Sequence, residues 1–400
     1  MLKKIMISQL QVGMFVHDLD CGWLQHPFFR SRFMINDLLM LDKVRDANIK
    51  HLVIDTEKGV DCTDAEAGDE LQLTLQANIA ETSSRQANDG KQVPASDEIN
   101  NARVIYKEAT NVIHRLLEDV RLGKQVEVEH IEPVTEKIVN SVFRNKDALI
   151  SLTRIKNRDQ YTFMHSVSVS GLLASFALNQ GMERERIKQI VMGGLLHDVG
   201  KMRVPLEILN KPDRLSEDEY AIMKSHAQIG IDILSGMPGL SKDAMDVVAM
   251  HHERIDGSGY PNGLKGDEIS EVGQMSTIID VYDALTSVRI YKDAWEPSFT
   301  LKKLLEWSGS HFDKRLVSNY IRCLGIYPVG SLVQLKSGLV GIVREQNEKD
   351  LLRPDLRLIY NSRFEKYIQV KDVQLRKMPQ DSIIEAISPE KYDIDLAVFV

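Results

Sequence analysis

Residues 184–201 read RERIKQIVMGGLLHDVGK, and the end of that run decides the architecture. Ile187, Ile190, Val191 and Leu195 recur at helical spacing, so a helix is expected over 184–198. Gly193 and Gly194 weaken it, and they are read as permitting close packing rather than phosphate binding, since no following helix N-terminus fits a phosphate loop. The helix delivers His197 and Asp198 side by side. Adjacent helical residues point about 100° apart, so this pair cannot easily chelate one ion as a His-x-x-x-His pair does. It can instead present donors to two neighbouring ions with the carboxylate between them, provided that other elements bring further imidazoles.

Other elements do carry them. Five of the 11 histidines, His165, His197, His226, His251 and His252, fall in one helical stretch, whereas His17, His26, His51, His114, His130 and His311 scatter elsewhere. His165 lies in an expected helix over 161–180. His226 lies in one that opens with Ser216 and Glu219 as a capping box and runs through Ile233. Ser241 caps a helix running into His251-His252-Glu253, and Asp280 sits in the apolar run MSTIIDVYDAL of a helix over 271–288. A lone histidine on an apolar helix is usually a hydrogen-bonded core residue. Several together, flanked by aspartates, reverse that reading, because burying Asp198 and Asp280 without a cation is costly. A metal centre in the core of a helical bundle accounts for all of them.

Around this core, the 400 residues suggest two or three domains. Residues 1–65 read as a small α+β unit, with MFVHDLD and HLVIDTE as strands around a helical INDLLMLDKVRDANI. Residues 66–100 are polar and acidic and read as a linker. Helical periodicity fills 101–326, with helices also expected over 299–308 and 313–323, and 327–400 alternates as a small β module. The chain is therefore expected to be mainly α. Its net charge of −8 disfavours a general binder of duplex nucleic acid, while leaving room for a small anion held by a few placed cations. Three dispersed cysteines, no apolar run approaching the roughly 18 residues of a membrane span and no export signal are the basis for expecting a soluble cytoplasmic protein.

HDVGK at 197–201, HHERIDGSGYPNGLKG at 251–266 and DVYDALTSVRIYK at 280–292 resemble, in order and spacing, the HD-GYP branch of the HD phosphohydrolases. VGMFVHDLDCGWLQHPFF at 12–29 is similar to the amino-terminal domain commonly fused to that branch. The resemblance implies a helical bundle holding two divalent ions, iron or manganese, with three in some members. The implied activity is hydrolysis of cyclic di-GMP to linear pGpG, and in many members to GMP, through a metal-bridging hydroxide. Carried over, it makes His165, His197, Asp198, His226, His251, His252 and Asp280 the ligands, with Asp198 bridging. Tyr161 stands where members with a third ion have glutamate, which favours two ions. Lys201 would touch the scissile phosphate or the bridging water. Arg289 and Lys292 match phosphate-binding cations, although the usual Arg-Pro-Tyr-Arg reads Arg-Ile-Tyr-Lys here.

Tyr260, in the loop after the histidine pair, is a candidate for contact with a base, a phosphate or a partner domain. Asp283, one turn after Asp280, is read as orienting a ligand, and Glu253 and Asp256 as loop or supporting groups. Further expectations are a protein partner at the amino-terminal unit or the Gly-Tyr-Pro loop, and a homodimer. Three competing functions stay open: a preference for 3′3′-cyclic GMP-AMP, hydrolysis of mononucleotides by a bundle with the same His-Asp core, and a non-catalytic adaptor. The Gly-Tyr-Pro loop and second histidine pair speak against the mononucleotide hydrolase, and the complete ligand set with Lys201 against the adaptor.

Overall fold

The computed structural model describes residues 2–18, 33–45, 51–62 except 57, 92–152, 161–287 except 212 and 214, and 294–399 except 348, 395, 397 and 398. By contacts the chain divides into one unit of residues 1–87 with 395–399 and a second of residues 88–394 with 400. The amino-terminal unit is an antiparallel sheet of β1 (Leu2–Met6), β2 (Phe15–Asp18), β3 (Phe33–Met34) and β4 (His51–Asp55) in the order β1-β4-β2-β3, with helix α1 (Leu38–Arg45). Ile5 pairs opposite Leu52, and both are buried with Val16, Ile35, Leu41, Val44 and Ile54. The strands expected in MFVHDLD and HLVIDTE are present. β1 was not expected, since two lysines in LKKIM obscure its alternation. Trp23, Pro27, Phe28 and Phe29 lie outside the described residues.

The helical unit begins with α2 (Ala95–Arg121), inside the stretch read as linker up to residue 100. Its polar first turn follows from helix electrostatics: Pro94 precedes it, and Asp97 and Glu98 stabilise the N-terminal end of the dipole. Glu98 is buried and accepts hydrogen bonds from Ser141 Oγ at 2.7 Å and Arg144 Nε at 2.7 Å, which ties α2 to α3 (Glu132–Arg144). There follow α4 (Lys146–Leu152), α5 (Tyr161–Asn179), α6 (Arg184–Leu196), a 3-10 turn at Val199–Arg203 and α7 (Leu206–Leu209). α8 (Glu217–Leu234), α9 (Lys242–Met250), α10 (Glu271–Thr286), α11 (Pro297–Trp307) and α12 (Lys314–Leu324) complete the bundle. The Ser216–Glu219 box opens α8 as expected, and Ser241 Oγ accepts from Ala244 N at the start of α9.

α5 runs through the core. It buries Val169, Leu172, Leu173 and Phe176, and its serines stay satisfied by donating to main-chain carbonyls, Ser168 to Met164 and Ser170 to Ser166. α6 lies tightly against its neighbours because its two glycines have no side chain. A Cβ at Gly193 would come within 2.6 Å of Ala244 O on α9, and one at Gly194 within 2.9 Å of Ser170 Oγ on α5. The glycines serve packing, as the sequence suggested.

The unit ends in an antiparallel sheet, β5 (Leu332–Leu335), β6 (Leu339–Glu345), β7 (Asp355–Asn361), β8 (Lys366–Gln374) and β9 (Ile383–Ala386), in the order β8-β7-β6-β5-β9. Val333, Leu335, Val343, Leu356 and Leu358 form its core. Among the described residues no helix is long and apolar enough to cross a membrane.

Candidate metal centre

Five helices aim imidazoles and carboxylates at one point. α6 ends at Leu196, His197 caps it, and Asp198 begins the 3-10 turn, so the chain changes helix type at the His-Asp pair. α5 contributes His165, α8 His226, the end of α9 His251 and His252, and α10 Asp280. All seven residues of the expected set therefore converge. They fall into two groups whose donor atoms lie within 4.8 Å of one another: His165, His197 and Asp280, and Asp198, His226, His251 and His252.

Asp198 stands between the groups and turns one oxygen to each. Its Oδ2 is 3.3 Å from His197 Nε2 and 3.8 Å from His165 Nε2. Its Oδ1 is 3.5 Å from His226 Nε2 and 3.8 Å from His251 Nε2. Asp280 likewise faces two rings, Oδ1 to His165 Nε2 at 3.0 Å and Oδ2 to His252 Nδ1 at 3.4 Å. Ligand bonds of about 2.1 Å put neighbouring donors about 3–3.5 Å apart around one ion, close to these separations.

The protons are placed to suit a metal. His197 Nδ1 faces Gly194 O at 2.8 Å, His226 Nδ1 faces Met223 O at 2.6 Å and His251 Nδ1 faces Val248 O at 2.8 Å. A carbonyl oxygen only accepts, so each Nδ1 donates and each Nε2 is the nitrogen directed inward, free to bind a cation once it carries no proton. His165 does the same through Asp283 Oδ2, 2.7 Å from its Nδ1. The orienting role expected of Asp283 is the one its position allows.

Electrostatics point the same way. Burial lowers the basicity of His226 and carries His251 well below the usual imidazole range, and His252 is pushed down to about 3. These rings are neutral at pH 7, as ligands must be. Burial raises the Asp198 carboxyl, but His197 and Lys201 outweigh it and hold the group well below its usual range. Burial likewise opposes protonation of His197, and Asp198 outweighs it. Asp198 thus draws a proton onto His197, and a cation bound there would take that proton's place. His197 Nε2 and Asp198 Oδ1 are both buried with no hydrogen-bond partner among the described residues. Two orphaned polar atoms, one in each group of donors, would be costly in an apolar core, and cations coordinated there would satisfy both. The residues fit a metal centre.

Above the donors opens a cavity of about 850 Å³, lined among others by Phe163, Lys201, Met223, Tyr260 and Thr277. That is the size range of pockets that enclose a small ligand. Lys201 Nζ lies 2.6 Å from Asp198 Oδ2, and its side chain is 23% exposed toward the opening. Tyr260 packs its ring 4.6 Å, centroid to centroid, from that of His252. Buried Glu253 orders the loop by accepting from Asn262 N at 2.7 Å and Leu264 N at 3.0 Å. Gly259 lets the loop fold back, since a Cβ there would lie 2.4 Å from Arg254 N. Arg289 and Lys292 lie outside the described residues, and Tyr161 is described in its backbone alone.

Two features escaped the sequence reading. Gly200 stands at a backbone-on-backbone crossing, where a Cβ would fall 1.9 Å from His226 O. Its signal was present in the glycine of HDVGK. Arg121, at the end of α2, lines the cavity and has no local sequence signal.

Asp283→Asn keeps the shape of that side chain and removes its charge. It is expected to lower metal affinity and turnover about 10- to 100-fold, because His165 loses the carboxylate that fixes its ring. Metal titration checks this, and unchanged affinity would show that the carboxylate does nothing for His165.

Residues 139–316 match the HD domain family, and residues 2–131 match DUF3391, a domain of unknown function. The chain is 36% identical to the cyclic di-GMP phosphodiesterase PA4108 of Pseudomonas aeruginosa, over 97% of this chain and 92% of that protein. It is 40% identical to the cyclic di-GMP phosphodiesterase response regulator RpfG of Xanthomonas campestris pv. campestris, over 45% of this chain and 48% of that one. With the 3′3′-cGAMP-specific phosphodiesterase 2 of Vibrio cholerae it shares 38% identity over 41% of this chain and 31% of that one. The fold is that of Bd1817, an HDG"Y"P protein from Bdellovibrio bacteriovorus, with a TM-score of 0.51 at 19% identity, covering 80% of this chain and 98% of that chain. With its motifs converging in one helical unit and its similarity running nearly from end to end, the chain belongs to the HD-GYP branch of the HD-domain family, preceded by a DUF3391 domain.

Proposed function

We propose that this protein is a metal-dependent phosphodiesterase that hydrolyses cyclic di-GMP. The observation that carries the reading is Asp198, buried between two groups of donors with one oxygen turned to each. His165, His197 and Asp280 would hold one divalent ion and His226, His251 and His252 a second, with Asp198 shared between them. Imidazole and carboxylate without thiolate suit iron or manganese. When bound, two such ions supply activated water at neutral pH and neutralise charge on the phosphate under attack.

The chain's own side chains do the rest. Lys201 presents its ammonium to a non-bridging phosphate oxygen, where negative charge grows as the bond to the ribose 3′-oxygen breaks. Asp283 and the carbonyls of Gly194, Met223 and Val248 hold the ring protons on Nδ1, keeping the inward nitrogens free. Tyr260 offers a ring face to a guanine at the cavity wall. Arg289 and Lys292 remain the phosphate cations by motif. The full-length similarity to PA4108 supports cyclic di-GMP as substrate, and the similarity to a 3′3′-cGAMP-specific enzyme makes that dinucleotide the comparison to run.

The test is turnover of both dinucleotides side by side, on protein purified anaerobically and reloaded with manganese or iron, with metal measured on the same sample. Expected is a higher kcat/KM for cyclic di-GMP at about two ions per chain. Full loading with neither dinucleotide cleaved would refute the enzyme reading and favour the adaptor. A preference for 3′3′-cyclic GMP-AMP would replace the substrate and keep the mechanism.

A further inference from the structure

A cyclic dinucleotide carries two phosphodiester anions on one macrocycle. With the scissile one over Asp198 and Lys201, the other must find a counter-charge nearby in the same cavity. Lys201 serves the scissile phosphate, and Lys211 is held by Glu219 at 2.6 and 2.7 Å. Lys224 lies over the ring of Tyr220, 5.0 Å from its centroid, and Arg254 lines the cavity from the loop that carries Tyr260.

Arg121 is placed differently. It is the last residue of α2, its Nη2 lies 3.5 Å from Met202 Sδ, and Met202 follows Lys201 directly in the 3-10 turn. Arg121, Lys201 and Met202 all line the cavity that contains the metal donors. Of the cations on α3 and α6, Lys137 pairs with Glu108, Arg144 with Glu98, and Arg184 with Glu136. Among the described residues, no carboxylate pairs with Arg121. An arginine that merely offset the C-terminal end of the helix dipole would have no need to lie against the lysine-bearing turn. Its planar fork of donors matches a phosphate's oxygens.

We propose that Arg121 binds the second, uncleaved phosphate of the substrate, so that the last helix of the DUF3391 region completes the cleft of the HD region. Arg121 lies within the DUF3391 match at 2–131 and ahead of the HD match at 139–316. The proposal rests on the phosphodiesterase reading and deepens it by giving that region a residue in substrate binding.

The experiment compares the metal-loaded, full-length wild type with Arg121→Ala and Arg121→Lys. Steady-state turnover of cyclic di-GMP is measured together with competitive inhibition by GMP, which has a single phosphate. Arg121→Ala is expected to raise KM for cyclic di-GMP about tenfold, as loss of one charge-assisted contact would. The Ki of GMP should move less than about twofold, metal content should hold, and Arg121→Lys should recover part of the loss. An unchanged KM, or KM and Ki weakened equally with metal lost, would overturn the proposal. A fully loaded wild type that does not turn over cyclic di-GMP would instead overturn the parent reading, and this one with it.

Discussion

Asp198→Ala is expected to remove bound metal and turnover together. The carboxylate reaches both groups of donors, with Oδ2 3.3 Å from His197 Nε2 and Oδ1 3.5 Å from His226 Nε2. On the proposed assignment, deleting it would leave each ion three of its four protein donors and remove the charge that compensates both. The remaining donors are mostly neutral rings, with Asp280 the one carboxylate left among the seven. Loss of a donor common to both sites should cost far more than the 10- to 100-fold of an outer orienting group, so turnover should fall at least about 10³-fold. Metal should drop from about two ions per chain toward none. Lys201 loses its partner but is 23% exposed and can turn to solvent, so the fold should survive. Asp198→Asn separates charge from shape: it should lose metal as alanine does, since a neutral amide cannot balance two cations. Metal analysis with a thermal melt on the same sample checks both variants. An alanine variant that stays loaded and active would end the idea that this carboxylate is shared.

The share of this centre legible in the sequence follows from which constraints are local. Adjacency of His197 and Asp198 says at once that their side chains diverge, and the structure gives them two groups to serve. Caps are equally local: Ser216 and Glu219 specify the start of α8 with no help from the rest of the chain. The start of α2 was lost because ASDEINN is as polar as the linker before it, and Glu98 is rewarded only when Ser141 and Arg144 arrive from α3. The two unsatisfied atoms, His197 Nε2 and Asp198 Oδ1, are brought together with the other donors only once five helices have met. Arg121 is the extreme case. Its reading depends on α2 lying against the turn that follows Asp198, a tertiary fact that no periodicity encodes.

That turn is also where one methyl group should do most harm. In Gly200→Ala the new Cβ would sit 1.9 Å from His226 O and 2.6 Å from Gly230 N, both backbone atoms of α8. Neither can rotate aside as a side-chain tip would, so the turn and α8 must separate. Overpacking of this kind costs about 3 kcal/mol or more where the obstacle is backbone. In a unit of this size that is a fall in Tm of about 5–10 °C. Activity should suffer more than stability does. The displaced turn carries Asp198 and Lys201 and the displaced helix carries His226, and a shift of about 1 Å in such a constellation costs about 10²-fold. Gly236→Ala supplies the comparison: that glycine has φ +76° with nothing within 4 Å of a new Cβ. It should cost only the backbone strain of about 1 kcal/mol, with metal binding and turnover retained. Thermal melts, metal content and kcat/KM of the two variants decide the matter. If Gly200→Ala kept full activity with a Tm no lower than that of Gly236→Ala, the crossing of the turn over α8 would not be what sets the distance between Asp198 and His226.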